Sequence, residues 1–408
     1  MVGKLKNFAL RWKYEAIIFV MTMLPVFFNF SKLSHVHRMY IPYYLYDFSM
    51  GFNARMWVGS LVKILKSHPT EEWIRGFAIV MLILGMILTA IVLGKAVKNT
   101  SAENRFTMLV FVLFFISGSL SISLFSRFFG MLDIHMYIIA LVCVVFSQNK
   151  YLRWFVPALC VAGVLVNFVF GISYFPIVVL ALLYNADKNE KKLWHIVIFV
   201  LTVVSTIGVT LYTVFAAAKN MTVTPDEAIQ MMEDKIGHPL TAEQNEYALL
   251  YLFGQNERAS DFFGKPISDM TPLEYVSNYF RFFAENSFSI QGIYSLALIT
   301  VPVIAVFWAL WISCIRKSER KSTKFVYVCY ILSTFFIPVG CLLSTDLVRW
   351  VAAGVMSQFA LCFLMFYFKD SAFEKTVEAI KRMCSKNKII LIVLYVLYAS
   401  SLYLDLTT

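Results

Sequence analysis

The sequence predicts an all-α fold in which a bundle of helices spans a membrane many times. Apolar runs of about 18 or more residues recur along the whole chain, and a helix of that length crosses the hydrocarbon core of a bilayer. The chain of 408 residues is 59% hydrophobic and has a mean hydropathy of +0.70, which excludes a soluble globular domain. The net charge of +11 comes from bases scattered between the apolar runs, so it indicates membrane topology and no nucleic-acid partner.

The apolar runs indicate about eleven spans within a single membrane domain that covers residues 1–408. They lie at roughly 14–31, 75–96, 106–124, 132–147, 154–169, 172–186, 193–216, 291–314, 325–343, 350–368 and 388–405. We interpret the first run as an uncleaved signal anchor, because basic residues precede it and no small-residue cleavage site follows. The region 154–186 allows one kinked helix or a hairpin of two short helices. Gly171 and Pro176, with basic residues at both ends, favour the hairpin.

The distribution of charge predicts a multi-pass protein of the cell (plasma) membrane with a cytoplasmic N-terminus. In that orientation the cytoplasmic segments carry 23 of the 36 Lys and Arg residues, although the outer segments are longer. Acidic residues show the opposite preference, with 17 of 25 outside. Bases accumulate on the cytoplasmic side of membrane proteins, so we expect the C-terminus and two long segments on the outer face.

The first outer segment, residues 31–74, is predicted to contain a helix in the membrane interface. After Arg55, apolar residues alternate with Lys63 and Lys66 at helical spacing. That pattern is typical of an amphipathic helix lying on a bilayer.

The second outer segment, residues 217–290, carries three capping boxes. They begin at Thr224, Thr241 and Thr271, and each has Glu or Gln three residues later. In such a box the side chains at both ends satisfy backbone N–H groups of the first helical turn. We therefore expect short helices in this segment.

Six ionisable residues lie next to predicted spans on the outer side. They are Asp47, Arg55, Arg127, Asp133, Asp346 and Arg349. Charges near the hydrocarbon core are costly, so such residues are candidates for a functional site. We predict that the six side chains converge on one site at the outer boundary, which would suit an anionic substrate.

Asp47 is the candidate general base of that site. It follows an aromatic run at residues 40–46, and partial desolvation at the lipid boundary would raise its pKa. A carboxylate with a raised pKa can take a proton from a hydroxyl. The alternative is that Asp47 caps a helix or lies in a solvated loop, since carboxylates are common at helix starts.

The arginines and the other acids have two interpretations. Arg127 could pair with Asp133 across a turn, and Asp346 could pair with Arg349 three residues later, which would make both pairs structural. Alternatively, Arg55, Arg127 and Arg349 bind a phosphate, because a guanidinium donates parallel hydrogen bonds to such a group.

The sequence indicates neither a metal nor a cofactor. His35 and His37 are two apart in an irregular segment, and no HExxH pattern occurs. The chain also lacks a P-loop and a GxGxxG motif, so no nucleotide site is visible.

Three short motifs resemble the GT-C superfamily of polytopic bacterial membrane glycosyltransferases. They are Asp47-x-x-x-Gly-Phe-x-x-Arg55 followed by Gly59 and an amphipathic helix, Arg127 to Asp133 before the fourth span, and Asp346-x-x-Arg349-Trp350 at a late outer turn. The plan of a long first outer loop and a second large outer loop is similar too. The chain differs at residues 167–173, where many members carry a His-Glu-like pair, and in having a single acid in the first loop.

The resemblance implies that a sugar is transferred on the outer face from a polyprenyl phosphate or pyrophosphate donor. Asp47 would then be the catalytic base, and Arg55, Arg127 or Arg349 would hold the lipid phosphate. Asp133 and Asp346 complete the predicted substrate site, and the acceptor would be a glycan or a lipid-linked molecule.

Three other functions fit the same sequence. A polysaccharide repeat-unit polymerase or ligase would use the same lipid-linked donor with a growing chain as acceptor. A transporter or flippase would move a lipid-linked or anionic solute, although the chain shows no internal repeat. A membrane scaffold would have no catalytic role.

Overall fold

The chain is helical in the computed structural model, which describes residues 2–188, 192–215, 220–253, 270–271, 273–274, 277–278, 290–343 and 347–400. Its helices are α1 (Val2–Phe28), α2 (Met56–Leu65), α3 (Glu71–Asn99), α4 (Arg105–Ser117), α5 (Ser123–Arg127), α6 (Asp133–Ser147), α7 (Val156–Val166), α8 (Phe170–Ser173), α9 (Phe175–Lys188), α10 (Lys192–Phe215), α11 (Pro225–Ile236), α12 (Ala242–Phe253), α13 (Ile290–Lys317), α14 (Lys321–Leu332), α15 (Phe336–Leu343), α16 (Leu347–Phe368), α17 (Ser371–Lys386) and α18 (Lys388–Ser400). Within these described ranges there is no β-strand, and an isolated antiparallel bridge joins Gly51 to Met221.

Five described segments are long and apolar enough to cross a membrane. They are Glu71–Asn99, Leu193–Thr213, Leu296–Lys317, Lys321–Gly340 and Leu347–Phe368. Each overlaps a predicted span, so the prediction of an all-α chain with membrane-spanning helices is confirmed in this coarse form. The Leu347–Phe368 helix lies at the centre of the bundle. In its most apolar stretch 78% is buried, whereas the corresponding share for Leu193–Thr213 is 22%.

Contacts between α1 and α3 define the two ends of the bundle. The two helices are antiparallel: Lys98 near the end of α3 binds Glu15 at the middle of α1, with 2.5 Å between Nζ and Oε1. At the other end, the Arg75 guanidinium donates to the carbonyl of Ser34, just after α1, at 2.8 Å. We call the end with Arg75 the capped end and the end with Lys98 the opposite end.

Two segments, residues 29–70 and 220–253, cover the capped end. The Tyr44 hydroxyl donates to the carbonyl of Gly130 at 2.7 Å, which ties the first segment to the turn before α6. The Lys235 ammonium, on α11, donates to a backbone carbonyl of the first segment at 2.6 Å. The first segment is therefore held between the bundle and α11.

Four helices are too short to cross a bilayer. α4, α6, α7 and α9 contain 13, 15, 11 and 14 residues. At 1.5 Å per residue they are about 16–22 Å long, against about 30 Å of hydrocarbon. On the capped side of these helices the chain runs through residues 118–132 and 167–174, which contain only the one-turn helices α5 and α8. The capped end therefore has a recess above the short helices, which the aromatic-rich run 40–46 helps to fill; all seven of its residues are buried.

The chain reverses direction between α7 and α9. The Leu165 carbonyl near the end of α7 accepts from the Arg55 N–H at the capped end, at 2.8 Å. The Asn185 amide near the end of α9 donates to the Ser147 hydroxyl at the opposite end, at 3.3 Å. Residues 154–186 thus form a hairpin of two short helices, and not the single kinked helix that the sequence also allowed.

Serine side chains satisfy the backbone where the chain leaves α4. The hydroxyls of Ser121 and Ser123 donate to the Gly118 carbonyl at 2.7 and 2.9 Å, and Ser126 donates to the Ser123 carbonyl at 2.9 Å. These three side chains are fully buried. Because a buried carbonyl without a partner is costly, the serines stabilise a break inside the bundle without needing water.

The predicted capping boxes are formed. The Thr224 hydroxyl accepts from the backbone N–H of Glu227 at 3.3 Å, and the Glu227 carboxylate accepts from the N–H of Thr224 at 2.7 Å. The patterns at Thr241 and Thr271 make the same reciprocal bonds. Most of the helix predicted after Thr271 lies outside the described residues.

Candidate functional site

Asp133 and Arg349 form a buried ion pair in the recess. The Arg349 Nη2 donates to Asp133 Oδ2 at 2.7 Å, and the two side chains are only 11% and 6% exposed. Asp133 opens α6 and Arg349 lies in the first turn of α16, 216 residues later. We call these two residues the recess pair. Although the two residues are far apart in sequence, each supplies the opposite charge that the other needs.

The recess pair lies alongside the first half of α3. Ile134, the residue after Asp133, packs on Gly85, where an added Cβ would come within 2.6 Å of Ile134 Cδ1. Gly85 is the central residue of the 29-residue helix α3. His135, two residues after Asp133, packs on Phe77 in the second turn of α3, so the pair lies between the depths of Phe77 and Gly85. Each ion must be paired at this depth because desolvation of an isolated charge costs several kcal/mol.

Tyr174 lies near the pair, and Tyr137 packs behind it. Tyr174 interacts electrostatically with both Asp133 and Arg349, and its buried hydroxyl has no hydrogen-bond partner among the described residues. The Tyr137 ring lies 6.2 Å from the Tyr174 ring, and its hydroxyl is 2.8 Å from that of Thr89. Sequence reasoning missed both tyrosines, because neither belongs to a charged or motif-like segment.

His135 is a second residue that the sequence did not assign to the site. It is buried two residues after Asp133, and neither ring nitrogen has a hydrogen-bond partner in the described part of the chain. Its ring packs against Phe77 and Tyr44 with centroid distances of 6.1 and 6.3 Å. The signal that could have found it is its position two residues after the predicted site residue Asp133.

Asp47 lies in a separate cluster, between the first covering segment and α11. Its Oδ1 accepts from Lys63 Nζ at 3.2 Å and its Oδ2 from Lys235 Nζ at 2.5 Å. Oδ1 also accepts the backbone N–H of Ser49 at 2.7 Å, so Asp47 caps the 3-10 turn Phe48–Met50. We call Asp47, Lys63 and Lys235 the cap cluster.

The cap cluster lowers the pKa of Asp47. Burial acts to raise this pKa, but hydrogen bonds from Lys235 and Ser49 outweigh it and bring the pKa from 3.8 to about 2. Burial lowers the pKa of Lys235, and the Asp47 carboxylate acts against that shift. The expectation of a raised pKa at Asp47 is therefore wrong. A carboxylate that stays ionised and already accepts three hydrogen bonds is a weak base toward a hydroxyl.

Arg55 joins the first covering segment to the hairpin. Its backbone is left-handed, with φ of 76°, which costs a non-glycine residue about 1–2 kcal/mol. Its N–H bonds to Leu165, as described above, and its guanidinium lies over the Phe168 ring, 5.1 Å from the centroid. Such strain persists where surrounding contacts hold the backbone in place. The arginine is thus positioned at the irregular stretch between α7 and α9.

The structure brings together some of the six predicted residues. Asp133 and Arg349 touch, Asp47 binds two lysines, and Arg127 ends α5 beside the recess, half-buried. Asp346 lies outside the described residues, so its expected pairing with Arg349 stays a prediction.

The described residues contain no group of three or more His, Cys, Asp or Glu side chains that could hold a metal ion. Comparison with protein-family models, with curated proteins and with solved structures finds no match to this chain.

Proposed function

We propose that the protein is an integral membrane glycosyltransferase of the GT-C type. It transfers a sugar from a polyprenyl-(pyro)phosphate donor to a glycan or a lipid-linked acceptor on the outer face of the cell membrane. The observation that carries the proposal is the recess pair: a buried arginine and carboxylate in contact, under a covering layer, in a bundle of apolar helices. Ionisable residues at such depth mark substrate pathways and reaction sites in membrane proteins.

The proposed topology has about eleven membrane segments, of which α4, α6, α7 and α9 extend only part-way through the bilayer, with the capped end outside and the opposite end in the cytoplasm. One support is α2, whose Met56 and Val58 are buried while Ile64 and Leu65 are 80% and 63% exposed. An exposed apolar face next to Lys63 suits a helix that lies on the outer leaflet. Labelling of single cysteines tests this orientation. A cysteine at exposed Asp226 should react with a membrane-impermeant reagent added outside intact cells; reaction only after the cytoplasm is opened would contradict the proposed topology.

In the proposed chemistry the two residues of the ion pair have separate roles. A donor phosphate that binds the Arg349 guanidinium frees the Asp133 carboxylate. The acceptor hydroxyl oxygen then forms a bond to the anomeric carbon, the bond from that carbon to the phosphate oxygen breaks, and the hydroxyl proton goes to a carboxylate. The phosphate leaves as an anion next to the guanidinium, which stabilises the developing charge. Asp133 suits the base role better than Asp47, since the cap cluster keeps Asp47 a weak base.

A transfer assay on the purified full chain in nanodiscs tests the proposal. The probes are polyprenyl-phosphate and polyprenyl-pyrophosphate sugars, and the readout is release of the sugar-free lipid phosphate together with a new glycoside. Asp133→Asn should lower turnover by about 10²–10⁴-fold if its carboxylate is the base. Arg349→Lys should mainly weaken donor binding, because lysine keeps the charge and loses the paired N–H donors.

Asp226→Asn is the matched control, because this exposed acid lies on α11 far in sequence from the recess pair. It should leave turnover unchanged. No new glycoside from any donor in the panel would contradict the enzymatic proposal. Full activity of Asp133→Asn with loss of activity in Asp47→Asn would return the base role to Asp47.

A lipid-linked solute transporter is the second candidate, and the broken helices favour it. Transporters bind substrates where discontinuous helices meet near the middle of the membrane. α4 and α7 end part-way through the bundle and α6 and α9 begin part-way, and Asp133 of the recess pair opens α6. In sealed vesicles a transporter would move a fluorescent lipid-linked sugar between leaflets without forming a glycoside.

A repeat-unit polymerase or ligase would form a glycoside. A series of acceptors would reveal this activity by products of increasing length.

A further inference from the structure

A cavity of about 170 Å³ lies in the half of the bundle toward the opposite end. It is enclosed by α3, α6, α9 and α16, the helices that also frame the recess pair. Leu93, Ala140, Val144 and Phe363 are among the residues that line it. Engineered apolar cavities of about 150 Å³ stay dry and take up small hydrocarbons, so this space suits hydrocarbon better than water.

The cavity has a closed end and an open end. At the closed end are Tyr137 and Tyr174, which separate the cavity from the recess pair. At the open end are Lys95, Gln148 and Tyr367, near the ends of three helices. Along α6 the eleven residues from Tyr137 to Gln148 correspond to about 16 Å. The cavity is thus elongated along the bundle axis, as a single lipid chain would require.

The open end carries an available positive charge. Lys95 is exposed, and no described residue forms an ion pair with it. Its neighbour Lys98 differs, because its ammonium binds Glu15. A cation at the mouth of an apolar cavity complements a lipid whose head group is anionic, and basic pockets between helices on the cytoplasmic side bind such head groups.

We propose that this cavity binds one acyl chain of an anionic phospholipid from the leaflet at the opposite end, with the lipid phosphate at Lys95. The site is distinct from the recess, because the rings of Tyr137 and Tyr174 stand between them. The inference requires a membrane protein and does not depend on glycosyl transfer, so it holds for a transferase or a transporter alike.

Photocrosslinking with a defined lipid tests the site. The full chain is reconstituted in nanodiscs that contain a phosphatidylglycerol with a diazirine on one acyl chain, and labelled peptides are mapped by mass spectrometry. We expect labels on α3, α6 and α16 within the stretches 89–96, 137–148 and 356–367. Labels confined to the lipid-facing helices, such as 193–213, would overturn the proposal, and this measurement needs no variant.

Variants at the mouth and in the apolar part of the cavity, together with a second lipid, test the two halves of the site. Lys95→Gln should lower labelling about fivefold, which corresponds to the ~1 kcal/mol that one basic residue contributes at a membrane surface. Lys150→Gln, an exposed lysine at the same end that does not line the cavity, should leave labelling unchanged. Ala360→Phe should fill the cavity and abolish the labels, and Val144→Phe serves if that variant does not fold. Equal labelling by a phosphatidylcholine probe, or undiminished labelling in a folded filling variant, would refute the assignment.

Discussion

Replacing Asp47 by asparagine separates a structural role from a catalytic one. Asparagine caps a turn about as well as aspartate, so the bond from the Ser49 N–H is kept. The charge is lost, which leaves Lys235, 13% exposed, without its carboxylate. Lys235 is on α11 and Asp47 is 188 residues earlier, so the change loosens the contact between α11 and the first covering segment.

The pKa shift sets the size of the effect. The pKa of Asp47 falls from 3.8 to about 2 on folding. Each pKa unit is about 1.4 kcal/mol, so the ionised carboxylate contributes about 2–3 kcal/mol at neutral pH. Because the folded pKa is the lower one, this stability is present above about pH 4 and is lost as the pH falls toward 2.

Hydrogen exchange of the α11 amides at neutral pH measures that loss. In Asp47→Asn the exchange of residues 225–236 should be about 30–150-fold faster, the factor that 2–3 kcal/mol of local stability represents. Asp226→Asn is on the same helix but exposed, and should change exchange by less than about fivefold. The wild type should lose stability between pH 4 and 2, and Asp47→Asn should not show that step.

Two results would refute this reasoning. Exchange in Asp47→Asn equal to that of the wild type would show that the lysines do not hold the carboxylate. A loss of turnover of about 10²-fold or more, with unchanged exchange and folding, would make Asp47 the general base. Lys235→Gln completes the test, because the double variant should lose less than the sum of the two single losses if the residues interact directly.

Three further predictions concern the recess pair and two glycines. Arg349→Met leaves the Asp133 carboxylate buried alone and should cost about 3–5 kcal/mol, seen as a lower melting temperature and folded yield than those of Arg349→Lys. Gly59→Ala should prevent correct packing, because its Cβ would lie 1.7 Å from the Tyr46 carbonyl oxygen; normal melting of this variant would contradict the packing of α2. Gly76→Ala, also in a helix but with nothing within 4 Å of its Cβ, should instead raise stability by up to about 1 kcal/mol.

Local features of this protein follow from neighbouring residues, and the sequence alone predicts them. The capping bonds at Thr224 join residues three apart, and the apolar runs of α3 and α16 exceed the thickness of a bilayer without reference to any partner. The lengths of the shorter helices were harder to predict. The run 106–124 has no charged residue, yet α4 ends at Ser117, because the serines after it offer the backbone other hydrogen bonds.

The partners of the charged residues were decided by the tertiary structure. The sequence alone predicted that Asp133, Arg349 and Asp47 are costly charges near the membrane. That prediction needs only their position beside apolar runs. It could not show that Arg349 binds Asp133, or that Lys235 binds Asp47, because both contacts depend on how distant helices pack. The pKa of Asp47 is lowered where a raised pKa was predicted, for the same reason: desolvation can be expected from the surrounding sequence, whereas the hydrogen bond from Lys235 comes only from the fold.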